Sequence, residues 1–258
     1  MMDAIVTAGG IPEPGDPLYP FTRGANKALL DVVGKPMIQW MLNALSGSAG
    51  VGRVIVIGLP ERVNLTCAKP LVFIPNHGSM LDNLEAGVKE VLRLNPSHQQ
   101  VLALSSDVPG VKTEMIDWLI GTIQKTDLDI YYNIIPQEVM EKRYPGSRRT
   151  YTRLKGAVFT GGDANAINTR LFSNEKPLWG KIISARKSPV KQAALIGFDT
   201  VFLLLIRQLS LERAVKIITL RLGVTGQALV CPYAEMGMDV DKPHQLELMR
   251  ADLSRQTA

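Results

Sequence analysis

Cysteine and histidine are scarce in this chain: two of the first, Cys67 and Cys231, and three of the second, His77, His98 and His244, in 258 residues. Their positions offer none of the close pairs that hold zinc, and two distant thiols read as core residues in a reducing compartment. The start of the chain lacks the basic residues and long apolar centre of a signal peptide, so a cytoplasmic protein is expected. Long apolar runs are also missing. The richest stretch, Ala193 to Leu209, is cut by Asp199 and Arg207 and falls short of the ~20 apolar residues of a membrane span. A buried or membrane-surface helix fits it better. The three spaced glycines of a dinucleotide fingerprint are absent, and Gly34-Lys35-Pro36 lacks both the earlier glycine and the following hydroxyl of a Walker loop.

What is present is ordinary globular composition, 46% hydrophobic and 21% charged, which excludes disorder and fibrous repeats. At this length one core is expected, a single domain over residues 1–258 carrying an apolar helical insert at about 189–222. The formal charge of +5 suits a protein that handles anionic, phosphorylated small molecules. The basic residues are scattered along the chain, so no nucleic-acid partner is indicated.

Short apolar runs alternate with helical periodicity. Ala4-Ile5-Val6-Thr7, Val54-Ile55-Val56-Ile57, Leu71-Val72-Phe73-Ile74 and Val101-Leu102-Ala103-Leu104 read as strands. Between them, Met37, Ile38, Met41, Leu42 and Leu45 mark one helix, with Pro36 at its first position, and Met80, Leu84, Val88 and Val91 mark another. A further helix is expected from Thr113 to Ile123. Fully apolar strands alternating with helices imply an α/β fold with a mostly parallel central sheet covered on both faces. Ile11 to Phe21 is too rich in proline and glycine for anything but loop. Pro136 to Arg149 reads as a polar, basic loop, and Thr150 to Thr160 and Ala164 to Asn168 as strand pieces around Gly161-Gly162. Two helices, roughly Pro189 to Leu209 and Leu211 to Leu222, precede a last strand at Ala228 to Cys231 and a closing helix from Pro243.

Ala8, Gly9 and Gly10 follow the first strand, where glycine lets backbone amides approach a phosphate. Taken alone, the pair is equally an ordinary strand-to-loop turn. The longer string is more specific: Ala8-Gly9-Gly10, Leu18-Tyr19-Pro20-Phe21-Thr22, Lys27-Ala28-Leu29-Leu30 and Gly34-Lys35-Pro36-Met37-Ile38. It resembles the N-terminal signature of the nucleoside-triphosphate transferase superfamily, the sugar-1-phosphate nucleotidyltransferases and molybdenum-cofactor guanylyltransferase-like enzymes. That resemblance implies a glycosyltransferase-A-like nucleotidyltransferase fold, a Rossmann-like three-layer sandwich. It also implies a loop that wraps the triphosphate, a phosphate contact from Lys27, and a Gly-Lys-Pro stretch that opens the following helix. The family carries Gly-Thr-Arg where this chain reads Gly15-Asp16-Pro17, so its signature arginine is displaced. Arg23 is the candidate substitute, a fork for phosphate oxygens, or else a solvated loop charge.

Ser106-Asp107-Val108-Pro109 resembles the family's Asp-x-Pro at the end of a strand, and Asp239-Val240-Asp241-Lys242-Pro243 its Asp-x-x-x-Pro before the last helix. The resemblance makes Asp107 and Asp239 the ligands of Mg²⁺, a cation that takes oxygen donors. Read without it, Asp107 is a turn residue and Asp241 a helix cap. Ser79 and Asn83 fall where the family reads the base, or serve as caps; Lys155, Gly162 and Asp163 fall where it meets the acceptor. The implied partners are a nucleoside triphosphate and a phosphorylated small-molecule acceptor, joined with release of pyrophosphate. Two alternatives stay open. One is a nucleotide-binding regulator without turnover. The other is a glycosyltransferase using an Asp-x-Asp motif, which both Asp239-Val240-Asp241 and Asp127-Leu128-Asp129 match. The insert reads as a homo-oligomer interface, a lid or a membrane-surface patch.

Overall fold

The computed structural model describes residues 1–61, 63–97, 99–172 and 207–257. The first strand, β1 (Met2–Thr7), pairs in parallel with β4 (Val51–Ile57) on one side and β6 (Gln100–Ser105) on the other, and β5 (Leu71–Ile74) extends the sheet beyond β4. Each of these strands is apolar on both sides for a reason. Ala4, Val6, Val54 and Val56 point into one core with helices α2 (Met37–Gly47) and α4 (Thr113–Ile123), while Ile5, Ile55 and Ile57 meet Val88 and Val91 of α3 (Met80–Leu94) on the other. Side chains alternate across a strand, so a sheet with two covered faces needs apolar residues at every position. The α/β, three-layer arrangement expected from the sequence is present.

Beyond β6 the sheet changes character. The next strand in space, β10 (Ala164–Asn168), runs antiparallel to β6, and β7 (Ile130–Pro136) antiparallel to β10. β7 then carries β9 (Ala157–Gly161) antiparallel near its end and β11 (Gly226–Val230) parallel along its other side, with β8 (Thr152–Leu154) outermost on β9. Between β9 and β10, Gly162 and Asp163 interrupt the pairing with β7. The break is held by Gly162 N–H on the Asn133 carbonyl and Asp163 N–H on the Met236 carbonyl, both at 2.8 Å. An irregularity of this kind re-aims a side chain at the rim of a sheet.

Several sequence expectations change. The proline-rich stretch after β1 contains one helical turn, α1 (Tyr19–Thr22), with Pro20 in its first turn where no N–H is needed. Gly34-Lys35-Pro36 leads into the helix as expected, but Pro36 is its N-cap and not its first helical residue. Lys35–Pro36 (β3) pairs antiparallel with Asp31–Val32 (β2) across a turn in which Val33 and Gly34 both have positive φ, and the helix begins at Met37. The stretch read as a polar loop after Pro136 forms α5 (Gln137–Arg143), too short to show a period and buried through Met140 alone. The strand read through Thr150 to Thr160 is two strands around a turn at Lys155-Gly156. Of the two helices of the insert, Pro189 to Leu209 lies outside the described residues except at its end, where Arg207 to Ser210 is not helical. The second is α6 (Leu211–Leu222), closed by Gly223 in a left-handed cap. The last helix is α7 (Pro243–Thr257). No helix among the described residues is long and apolar enough to cross a membrane.

Candidate active site

The loop after β1 is fixed by its carbonyl oxygens. Ala8 O accepts from Asn26 Nδ2 at 2.6 Å, Gly9 O from Asn76 Nδ2 at 3.2 Å, and Gly10 O from Lys27 N–H at 2.8 Å. Asn26 has a second duty, capping the short 3₁₀ turn Lys27–Leu29 by accepting from Ala28 N–H. It therefore ties the loop to the element that carries the lysine. Gly58, just past β4, has φ of 97°, and a Cβ there would lie against the Gly9 backbone well inside contact distance. Gly58→Ala should therefore lower stability by about 2–3 kcal/mol, since strain and backbone overlap combine. Urea unfolding of the variant measures this, and a midpoint unchanged from the native chain would refute it.

Lys27 leaves this loop toward the ends of β1 and β6. Its Nζ lies 2.6 Å from Asp107 Oδ2 and 2.7 Å from Asp241 Oδ1. Burial alone would lower the lysine pKa, but the two carboxylates outweigh it and hold the ammonium more strongly protonated than an ordinary lysine. Asp107 is oriented by Ser105 Oγ at 2.5 Å, and its carbonyl accepts Val240 N–H at 2.9 Å. That backbone bond brings the segment before α7 onto the end of β6. Gln245 Oε1 then takes both the Asp241 and Lys242 amides at 2.9 Å, fixing the turn into the helix.

The second acid beside Lys27 is therefore Asp241, not the expected Asp239. Asp239 points the other way and pairs with Arg149, both side chains largely buried. Two residues apart on the irregular segment before the last helix, the pair serves two neighbours. Asp163 joins the cluster from the break between β9 and β10. Its carboxyl is pushed up to about 7, first by burial and then by Asp107, with Arg149 and Lys27 opposing and Asp241 adding to the rise. A carboxyl with a folded pKa of about 7 and an ordinary value of 3.8 binds its proton more tightly in the folded chain. Stability accordingly falls as pH rises between those values, and the loss is complete above the upper one. Asp163→Asn is expected to melt higher than the native protein at about pH 8 and to converge with it toward about pH 4. Equal melting curves at both ends would show the carboxyl to be ordinary.

Other expected residues sit differently. Ser79 forms a capping box with Asp82 at the start of α3, and Asn83 bonds His77 N–H and Asn76. Both shape the loop, and the group that reaches the glycine turn is Asn76. Arg23 is an exposed residue in the left-handed region, φ 50°, at the end of α1. Gly162 is buried, and a Cβ would meet Asn133. Lys155 is exposed at the tip of the β8–β9 hairpin, its N–H on the Leu209 carbonyl at 2.9 Å. Asp127 and Asp129, the second Asp-x-Asp match, lie before β7 at the opposite edge, both on Arg170. Sequence reasoning missed Asn26, Gly58, Asn76 and Arg149. Only Asn26, directly before the lysine, had a local signal.

A cavity of about 390 Å³ opens over the lysine, lined by Gly10, Pro12, Asp16, Pro17, Lys27 and Asp241. A second, about 350 Å³, lies on the other side of the glycine turn between Gly58, Pro60, Phe73 and Asn76. Ligands of open α/β sheets bind beyond the carboxyl ends of the strands, and Lys27, Asp107 and Asp241 meet at that place. The geometry thus defines a class, an α/β protein with a charged cleft at the carboxyl edge of its sheet. Comparison with known proteins is more specific. The chain belongs to the family of MobA-like NTP transferase domains, whose profile matches residues 19–174, more than half of its length.

A solved structure of a hypothetical transferase from Thermus thermophilus matches with a TM-score of 0.81 at 32% identity, covering 95% of this chain and 99% of that one. CMP:2-keto-3-deoxy-manno-octonic acid synthetase, solved with CTP, matches at 0.60 and 18% identity over 99% and 100% of the two chains. 2-C-Methyl-D-erythritol 4-phosphate cytidylyltransferase, also from Thermus thermophilus, matches at 0.57 and 15%, again over 99% and 100%. At those identities the last two speak for the fold. Glucose-1-phosphate thymidylyltransferase from Neisseria gonorrhoeae is 47% identical over 60 residues, which cover 23% of this chain and 19% of that protein.

Proposed function

We propose that the protein transfers a nucleoside monophosphate from a nucleoside triphosphate to a phosphorylated small molecule, releasing pyrophosphate. The observation that carries this reading is the convergence of Lys27, Asp107 and Asp241 beside the glycine loop. An oxygen of the acceptor phosphate attacks the α-phosphorus, the new P–O bond forms as the bond to the β-phosphate oxygen breaks, and the leaving pyrophosphate takes the electron pair. Such chemistry asks for positioning and charge neutralisation more than for a protein nucleophile. The loop, with its carbonyls already engaged, has amides to offer the β- and γ-phosphates. Lys27 offers its ammonium, and the exposed guanidinium of Arg23 stands on the same loop.

The donor set fits Mg²⁺. Asp107 and Asp241 each bring an oxygen to the same ammonium, so both are within reach of one small cation. Magnesium is commonly held by one or two carboxylates, with phosphate oxygens and water completing its shell. Among the described residues no group of three or more His, Cys, Asp or Glu forms a self-sufficient metal site, which suits a cation delivered with the nucleotide. When bound, it would neutralise charge on the triphosphate and the leaving group. Asp239, held by Arg149, is assigned to shaping this wall of the site. Asp163, Gly162 and, further out, Lys155 lie on the side left for the acceptor.

The test is calorimetric titration with each of the four common nucleoside triphosphates, with and without Mg²⁺, followed by pyrophosphate release in the presence of phosphorylated acceptors. Metal-dependent binding of a triphosphate, lost in Asp107→Ala, is the expected result. Binding of nucleotide sugars in place of all four triphosphates would overturn the reading in favour of a glycosyltransferase. Triphosphate binding without pyrophosphate release by any acceptor would favour a regulator.

A further inference from the structure

Lys27 cannot serve the triphosphate from where it stands. Its ammonium is in contact with both carboxylates assigned to the cation, and its position relative to them is that of a counter-ion. The Lys27 and Asp107 side chains are largely buried, at 17% and 14% exposed, whereas Asp241 is 55% exposed at the cavity mouth. Burying the Asp107 carboxylate without a partner would be costly, and the lysine supplies that partner. Arg149 is committed to Asp239. Lys27 is moreover free to leave: its backbone is anchored through N–H to Gly10 O and by the Asn26 cap, while the flexible four-carbon stem beyond lines the cavity.

We propose that the Lys27 ammonium is the resident counter-ion of the Asp107–Asp241 pair, and that divalent cation and triphosphate bind as a mutually dependent pair because each must displace it. The inference rests on the reading above. A metal entering alone meets a site already neutralised, and a triphosphate entering alone meets a lysine already engaged and two carboxylates that repel it. Arriving together, the cation takes the carboxylates and the phosphates take the lysine, so every charge keeps a partner throughout. The two ligands then enhance each other's affinity by the same factor, as linkage requires.

Mn²⁺, with or without the triphosphate that the native protein binds, is the probe. Free Mn²⁺ is followed by its electron paramagnetic resonance signal. The native protein is expected to bind Mn²⁺ weakly alone and about tenfold or more tightly with triphosphate. Lys27→Met should bind Mn²⁺ alone at least about tenfold more tightly than the native chain and lose most of the coupling, while Lys27→Arg, which keeps a cation, should bind it as weakly as the native chain. A second variant guards against a misfolded Lys27→Met. Asp241→Asn, altered at the exposed acid, should bind metal-free triphosphate more tightly than the native protein, because it removes one repelling charge and one hold on the lysine. Mn²⁺ binding by the native chain that is equally tight with and without triphosphate, or Asp241→Asn binding metal-free triphosphate no more tightly than the native chain, overturns the inference alone. No Mn²⁺ binding by any of these proteins under any condition overturns the proposed metal site and the inference with it.

Discussion

Asp107→Asn is expected to lower turnover by about 10²–10³-fold while leaving the melting temperature close to native. The size follows from what one preorganised charge contributes where charge develops in a transition state. The small structural effect follows from the substitution's shape: the amide is isosteric, and an oxygen remains to accept from Ser105 Oγ or Lys27 Nζ. The variant also removes a charge that, after burial, pushes the Asp163 carboxyl up, so Asp163 should titrate lower than about 7. Steady-state pyrophosphate release, read beside a thermal melt, separates the two roles. Near-native turnover would remove Asp107 from the reaction.

Arg143→Ala carries the largest expected effect on stability, about 3 kcal/mol. Arg143 at the end of α5 places Nε 2.7 Å from Glu235 and Nη1 and Nη2 at 2.9 and 2.6 Å from Asp252 on α7. Both carboxylates are buried, and Tyr144 and Arg255 also reach Asp252. Truncation leaves two acids in the protein with too little compensation, which is far worse than losing an exposed pair. Burial would raise the Asp252 pKa, but the Arg143 hydrogen bond and charge outweigh it and the carboxyl is held below its ordinary value. Its stabilising contribution is therefore present above the ordinary carboxylate range and is lost as pH falls through the lowered value. The gap between native and variant should accordingly narrow in acid. Chemical denaturation at neutral and acidic pH checks both size and sign, and a gap that widened in acid would show that the pair is not what holds α5 to α7.

Much of this molecule was legible in the sequence where the physics was local. β1, β4, β5 and β6 announced themselves because a strand covered on both faces has no polar position to confuse it with a surface element. α2, α3 and α4 are long enough to show a period. α5 is not: seven residues with one buried side chain look like any polar segment, and what stabilises it is Arg143 reaching Glu235 and Asp252, about a hundred residues away in sequence. The site divides in the same way. Lys27 and Asp107 follow recognisable strings, and the structure brings them into contact. The choice between Asp239 and Asp241 could not be made from spacing, because residues two apart on an extended segment share a face only while the backbone stays straight. Here the chain turns between Met238 and Pro243, and the two acids part. Arg149 lacked even an ambiguous signal. Its role comes from burial beside Asp239, a property of the folded chain.

The bond from Val240 N–H to the Asp107 carbonyl closes the site with its last-synthesised wall. Lys27 and Asp107 are laid down early, and the partner they await lies about a hundred and thirty residues beyond Asp107. During synthesis, a ribosome that had released everything through β11 would hold a polypeptide with every described strand of its sheet and a one-sided cleft. Competence to hold nucleotide would then arise late, with the emergence of the segment around Asp241, and not gradually as strands are added. Nucleotide capture by chains stalled at successive lengths should accordingly switch on over a narrow interval, making ligand binding a reporter of the closing of the cleft.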